Sequence, residues 1–398
     1  MSPPPSPPLR LHAAYRHAEA LAAFPTAGAA HALCDGQWVV LPRAVLCFVE
    51  LGAAPLGRAA PGRSHLVSGA RFCWTAERAY RVAPDGCPFL PFEVRAGQAP
   101  ARPLHLFARG AQTPADTYLY LGELQPTETY GYAESAPLGE ARFPLSPVVP
   151  PQVWHALGGP APAPADLGEA LDGLFARLGG PASVHVRMGV LRGFVERWHG
   201  PLRPQDGVPE EALREKALPA PLRAWLKAGG RRGEVLSGQG RLLPPEALVA
   251  DGEGLLPFYE ENQGVYAWAT RAEGEDPEVL GRDSTAEPWT PEGMTLSGFL
   301  LEAALFEAVL GAPYAAYTAQ ASDALVARAL APLVALPLAP WRWPAHPTRF
   351  FAGGGVLAAT CPHDPAEGTH DLWLAARTPA ALAYLRPWVD AQWERADL

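Results

Sequence analysis

The sequence predicts an α+β protein in two parts: a β-rich N-terminal sheet or partial barrel over residues 1–158, and a C-terminal α+β domain over residues 166–398. Three observations carry this expectation. At 398 residues the chain is longer than one ordinary hydrophobic core and suits two domains. Short runs rich in β-branched and aromatic residues crowd between Gln37 and Gly158, whereas helical and strand patterns follow one another after it. Between the two parts, residues 159–165 lie in GGPAPAPAD, whose Pro and Ala content suits an extended linker. Hydrophobic residues make up 48% of the chain and charged residues 18%, a balance that excludes global disorder.

Taken in order, residues 1–8 read as a disordered Pro and Ser tail, and LRLHAAYRHAEALAAF places Leu11, Tyr15, Ala18 and Leu21 at helical spacing. The runs WVVL, AVLCFVEL, RFCWTA, RAYRVA, FEVRA, PLHLFARG and TYLYLGEL then read as strands parted by Gly, Pro and Asp turns. Past the linker, Leu167, Leu171, Leu174, Phe175 and Leu178 follow helical spacing behind Asp166, a cap by residue type, and stop at Gly179 and Gly180. A second helix runs through Leu191, Phe194 and Trp198, and a third, LPAPLRAWLKAGG, starts on prolines and ends on glycines. LLPFYEENQGVYAWA, Leu255 to Ala269, reads as strand, polar turn, strand. An apolar helix from about Thr295 to Leu310 follows, then FFAGGGVLAATC and HDLWLAART as a strand pair, then a final helix from Pro379 to about Arg395.

Charge is distributed unevenly. Residues 246–292 hold 12 acidic groups against Arg271 and Arg282, a local excess that accounts for the whole chain's net charge of −9. A field of one sign speeds encounter with a basic partner and disfavours nucleic acid, although a solvated acidic face would look the same. No run of about 18 apolar residues is present to span a bilayer, and the first residues lack a leader pattern, so a cytoplasmic protein without a membrane partner is expected. The cysteines Cys34, Cys47, Cys73, Cys87 and Cys361 are odd in number and widely spaced, which favours free, buried thiols.

Chemical motifs are scarce. No G-x-S-x-G elbow, H-E-x-x-H helix, phosphate-binding loop or dinucleotide fingerprint occurs, so no catalytic residue and no cofactor is assigned. His31 with Cys34, and Cys361 with His363 and His370, do not reach a four-ligand metal set, and no metal is assigned. Glu260 and Glu261 are neighbours on a strand and point to opposite faces. One is expected to face solvent and the other to bind turn amides. In the N-terminal part, Arg109, Tyr118, Tyr120, Tyr130 and Tyr132 could line a pocket for a stacked or anionic ligand, or pair across strands to hold a sheet.

The region from about Asp166 to the C-terminus resembles the SMI1/KNR4, or SUKH, superfamily. The resemblance is carried by LPAPLRAWLKAGGRR, LLPPEAL, LLPFYEENQGVYAWA, DPEVLGR and WTPEGMTLSGFLLEAALFEAVLGAPY, in that order. It implies a central antiparallel sheet with flanking helices and a role in protein binding without catalysis. Bacterial members are mostly immunity proteins that neutralise toxins, many of them nucleases. The expectation is therefore a non-enzymatic binding protein of a toxin, competition or defence system, with Glu260, Glu261, Asp276 and Glu278 facing a basic partner such as a nuclease toxin. The alternative places a small-molecule or modified-nucleotide reader, or an enzyme, in the N-terminal part, with the C-terminal region as an interaction module. The roughly 158 residues in front depart from simple immunity proteins, which often consist of the SUKH unit alone.

Overall fold

A computed structural model describes residues 9–24, 31–33, 38–41, 44–51, 65–68, 71–75, 104–110, 112–114, 116–124, 128–131, 139–145, 148–157, 161–180, 183–283, 288–342, 347–390 and 392–398. The chain is mixed α+β and divides into two compact units, Met1–Pro162 and Ala163–Leu398. Among the described residues, no helix is long and apolar enough to cross a membrane.

In the first unit, six strands form one sheet in the order Ala14–Arg16, Thr117–Leu124, Leu104–Arg109, Val45–Glu50, Trp38–Val40, His31–Leu33. Val45–Glu50 and Leu104–Arg109 run parallel, and the other neighbours antiparallel. Parallel neighbours cannot be joined by a tight turn, so the chain leaves this sheet after Glu50. It lays His65–Ser68 and Arg71–Thr75 into a second, four-stranded antiparallel sheet with Gly139–Pro144 and Glu128–Gly131. The described strands of this unit thus form two sheets, of six and four strands. The long N-terminal helix is corrected. Only His17–Ala22 is helical, because Ala14–Arg16 pairs with Thr117–Leu124 and His12 takes φ 61, outside the helical region.

The second unit holds a five-stranded antiparallel sheet in sequence order, Gly240–Leu242, Leu255–Glu261, Ala267–Arg271, Glu278–Arg282 and Thr290–Thr295. A six-stranded sheet runs Val334–Ala335, Arg349–Gly353, Val356–Asp364, Thr369–Ala376, Tyr314–Ser322, Arg395–Ala396. The central helix Leu296–Leu310 touches strands of both sheets and the helices Val184–Trp198, Ala220–Gly229 and Gly233–Leu236. Every residue from Leu296 to Val309 is buried, which is why this helix is apolar all round instead of striped. Its aromatic contacts are dense: Phe299 lies within 5.2–5.6 Å, ring centre to ring centre, of Phe258, Tyr259, Trp268 and Trp341.

Three local expectations change. Leu167–Phe175 is helical, yet the Asp166 side chain makes no capping bond. FFAGGGVLAATC holds two strands, because Gly354 and Gly355 take φ 57 and 83 and turn the chain back within it. The final helix stops early. Pro379–Leu382 is α-helical and Ala383–Trp388 is a 3-10 turn containing Pro387, which has no N–H to donate. The chain ends instead as the strand Arg395–Ala396 beside Tyr314–Ser322, fixed where Ala315 N donates to Asp397 Oδ2 at 3.0 Å.

Candidate functional site

The hairpin expected at Leu255–Ala269 is present, its turn carried by Gly264 at φ 74. Tyr259 is 1% exposed and donates to Glu307 Oε1 at 2.8 Å. The same carboxylate of the central helix accepts Gly240 N at 2.6 Å and Gln239 N at 2.8 Å. Glu307 thus clamps the edge strand and the hairpin to the helix. Burial pushes its carboxyl above the usual range, and the backbone and tyrosine donors pull against that. At Gly240 and Gly281 any side chain would collide with Tyr259, or with Tyr266 and Glu292, so both glycines are demanded by close approach.

Glu261 and Glu260 divide as their alternation requires. Glu261 is 2% exposed; its Oε2 accepts Gln263 N of the turn at 2.7 Å and its Oε1 accepts Gln239 Nε2 at 3.3 Å. Glu260 pairs with Arg241 on the adjacent strand. Asp276 does something the sequence did not suggest. Its two carboxylate oxygens accept Ser297 N at 2.8 Å and Ser297 Oγ at 2.7 Å, and Arg187 Nη1 lies 3.6 Å away. A carboxylate at the first turn satisfies an orphan amide and the helix dipole, so Asp276 caps the central helix from a neighbouring loop. Of the four carboxylates expected at a partner surface, Glu261 and Asp276 bond within the fold, Glu260 pairs with Arg241, and Glu278 is exposed.

Five exposed carboxylates gather at one end of the five-stranded sheet. Asp251, Glu253, Glu273, Glu275 and Glu278 are all exposed. Leu255 pairs with Arg271 and Ala272 N donates to Gly254 O, which brings the loops before and after these strands together. Glu278 follows beside them, because Val279 pairs with Thr270. This acidic end lies about 20 Å from the Gln263 turn, the length of a seven-residue strand.

In the first unit three of the five expected pocket residues, Arg109, Tyr118 and Tyr120, lie on neighbouring strands of the six-stranded sheet. Tyr120 is 7% exposed and its hydroxyl lies 2.9 Å from His105 Nδ1; burial pushes the phenol up to about 12. Tyr118 packs edge-on to Phe48 and carries the Arg109 guanidinium at 5.2 Å, while Arg109 is paired with Glu50. Tyr130 belongs to the other sheet, and Tyr132 lies outside the described residues. Phe48, Phe107, Tyr118 and Tyr120 therefore make the cross-strand aromatic packing that was the competing expectation.

Among the described residues, no group of three or more His, Cys, Asp and Glu is placed to hold a metal. His363 Nδ1 lies 3.0 Å from Asp371 and His370 Nε2 lies 2.7 Å from Asp323, so the two histidines serve different carboxylates. Cys47 and Cys361 are buried, and burial pushes the Cys361 thiol up to about 11, away from nucleophilic use. Cys34 and Cys87 lie outside the described residues.

Sequence reading missed the buried carboxylates Glu292, Glu302, Glu307 and Asp397, at 4%, 1%, 3% and 1% exposure. A signal existed: two glutamates five residues apart in LSGFLLEAALFEAVL interrupt a run otherwise free of charge. No protein-family model matches this chain, and no curated protein matches it.

Proposed function

We propose that the chain is a non-enzymatic binding protein whose C-terminal unit is a SMI1/KNR4 (SUKH)-type domain. In this reading it acts as an immunity protein of a bacterial toxin, competition or defence system, working in the cytoplasm and without a cofactor. The binding surface is the acidic end formed by Asp251, Glu253, Glu273, Glu275 and Glu278, and the partner is a basic protein such as a nuclease toxin. The observation that supports this most is the convergence of these five exposed carboxylates at one end of the five-stranded sheet, with Arg271 the exposed cation among them. Such a field steers a basic partner in and repels nucleic acid. The hairpin serves as scaffold, since its carboxylates are bound within the fold. The N-terminal β-rich unit is a separate domain of unassigned role in this reading. The aromatic packing around Tyr118 and Tyr120 gives no support to a ligand reader there.

The test is capture of the basic product of a neighbouring toxin gene by the full chain. Lysine substitutions at Asp251, Glu253, Glu273, Glu275 and Glu278 should abolish capture, and capture by the unsubstituted chain should weaken steeply with salt. Undiminished capture by the substituted chain would remove the surface from consideration.

A further inference from the structure

One margin of the six-stranded sheet in the second unit is covered by a very short strand. Arg395–Ala396 pairs with Tyr314–Ser322 over two residues, Ala396 with Ala316 and Arg395 with Tyr317. The strand it covers is nine residues long and pairs on its other side with Thr369–Ala376 along most of its length. The open side of such a strand presents a row of backbone donors and acceptors on which another chain can pair.

Side chains of the same segment complete the cover. Alternate residues of an antiparallel strand turn their backbone groups to the same side, so Ala315, Tyr317 and Ala319 present theirs to residues 393–397. Asp397 meets both groups of Ala315: its N–H donates to Ala315 O at 2.9 Å, and its Oδ2 accepts Ala315 N at 3.0 Å. Arg395 stands opposite Tyr317 on the ladder. Glu394 Oε1 accepts Ala319 N at 3.4 Å, and Gln392 O accepts Thr318 Oγ1 at 3.1 Å. The amides of Ala315 and Ala319 thus meet carboxylate oxygens where a full strand would offer carbonyls.

The segment is also held by anchors of its own. Asp397 is 1% exposed, and Arg395 donates to the same Oδ2 from Nε at 2.8 Å and from Nη2 at 2.6 Å. Withdrawing both charges from water offsets much of their attraction, so this pair contributes little net stability. What it sets is register, since Asp397 opposite Ala315 places an acceptor on that amide. Trp393 is buried, and its Nε1 donates to Trp388 O at 3.0 Å. Sheet edges that bind extended peptides use the same parts, main-chain bonds for affinity and seated side chains for specificity.

We propose that the outer edge of Tyr314–Ser322 is a strand-acceptor site, that residues 393–397 are its exchangeable occupant, and that it takes in their place an extended acidic segment of another protein with a carboxylate at the Asp397 position. The resident segment competes as a tethered ligand and keeps the edge covered until such a partner is presented. The site lies on the six-stranded sheet, and the inference holds whether or not the acidic end of the five-stranded sheet binds a basic protein.

Two variants test it, a chain lacking residues 393–398 and a full-length chain carrying Asp397→Ala, each titrated into a labelled synthetic peptide of residues 392–398, QWERADL. Fluorescence anisotropy should show saturable binding to the shortened chain. Binding to the unchanged chain should be at least about 10-fold weaker, because its own segment competes at an effective concentration on the order of mM. Asp397→Ala in the peptide should weaken binding at least about 10-fold, since Ala315 N loses its acceptor. Where the shortened chain does not fold, the full-length Asp397→Ala variant decides: its loosened segment should admit the unchanged peptide at least about 10-fold more tightly than the unchanged chain does. Binding to a folded variant in this order supports the site. Absence of binding to every folded variant, equal binding to the unchanged chain, or indifference to Asp397→Ala in the peptide overturns it. Self-association of the variants without uptake of the peptide would assign the edge to a second copy and overturn the acidic-segment assignment.

Discussion

Replacing Glu307 by alanine probes the clamp that joins the hairpin to the central helix. The substitution removes the acceptor of Gly240 N, Tyr259 Oη and Gln239 N. Gly240 and Tyr259 are buried, so two donors are left without partners, whereas Gln239 is half-buried and can turn to water. At about 1–3 kcal/mol for each buried orphan, the loss is about 2–6 kcal/mol, centred near 4. Tyr259→Phe removes one donor and leaves Glu307 its two backbone amides, with an expected loss of about 1–2 kcal/mol. Urea unfolding of the full chain should be followed by exchange of peptides from 255–261 and 296–310. With a urea slope of about 3 kcal/mol per molar, Glu307→Ala moves the midpoint down by about 0.7–2 M. The double variant should lose less than the sum of the two, since both delete the same bond. Equal midpoint shifts for Glu307→Ala and Tyr259→Phe, or strict additivity, would refute the clamp.

Two further outcomes follow from the same geometry. Gly281→Ala sets a methyl group against Glu292 Oε1 and Tyr266 Oη, and should lower stability by about 1–3 kcal/mol with loss of the Tyr266 to Glu292 bond; an unchanged thermal midpoint would contradict it. His199 is pulled down to about 3 by burial first and then by Arg377 and Arg232, so the fold holds it neutral while the unfolded chain takes up a proton below about 6.5. Its contribution is present above that value and is lost as pH falls from about 6.5 toward 3, at up to about 1.4 kcal/mol per unit. His199→Gln should flatten that limb of the unfolding free energy against pH, and equal slopes in the two proteins would exclude the assignment.

The second unit was more legible in sequence than the first because its elements are long and strongly patterned. Leu296–Leu310 announces itself as a run too apolar for a surface helix, and Leu255–Ala269 shows turn chemistry between aromatic strands. The errors fall where a distant segment overrides a local signal. The spacing of Leu11, Tyr15 and Ala18 is helical, but Ala14–Arg16 finds a strand partner about a hundred residues on. The parallel pairing of Val45–Glu50 with Leu104–Arg109, which splits the strands into two sheets, leaves no mark in either run.

The candidate site divides along the same line. Composition and order alone determined that the protein is α+β, that an acidic excess sits in residues 246–292, and that Glu260 and Glu261 take opposite roles, because the strand period is two. Tertiary structure alone decided which carboxylates are available. Asp276 reaches a helix cap 21 residues away, Glu307 receives donors 48 to 68 residues away, and Asp251, Glu253, Glu273, Glu275 and Glu278 meet only because two strands pair. Charge is written residue by residue, but burial and partnership depend on contacts between distant segments, and those determine whether a carboxylate holds the fold or faces a partner.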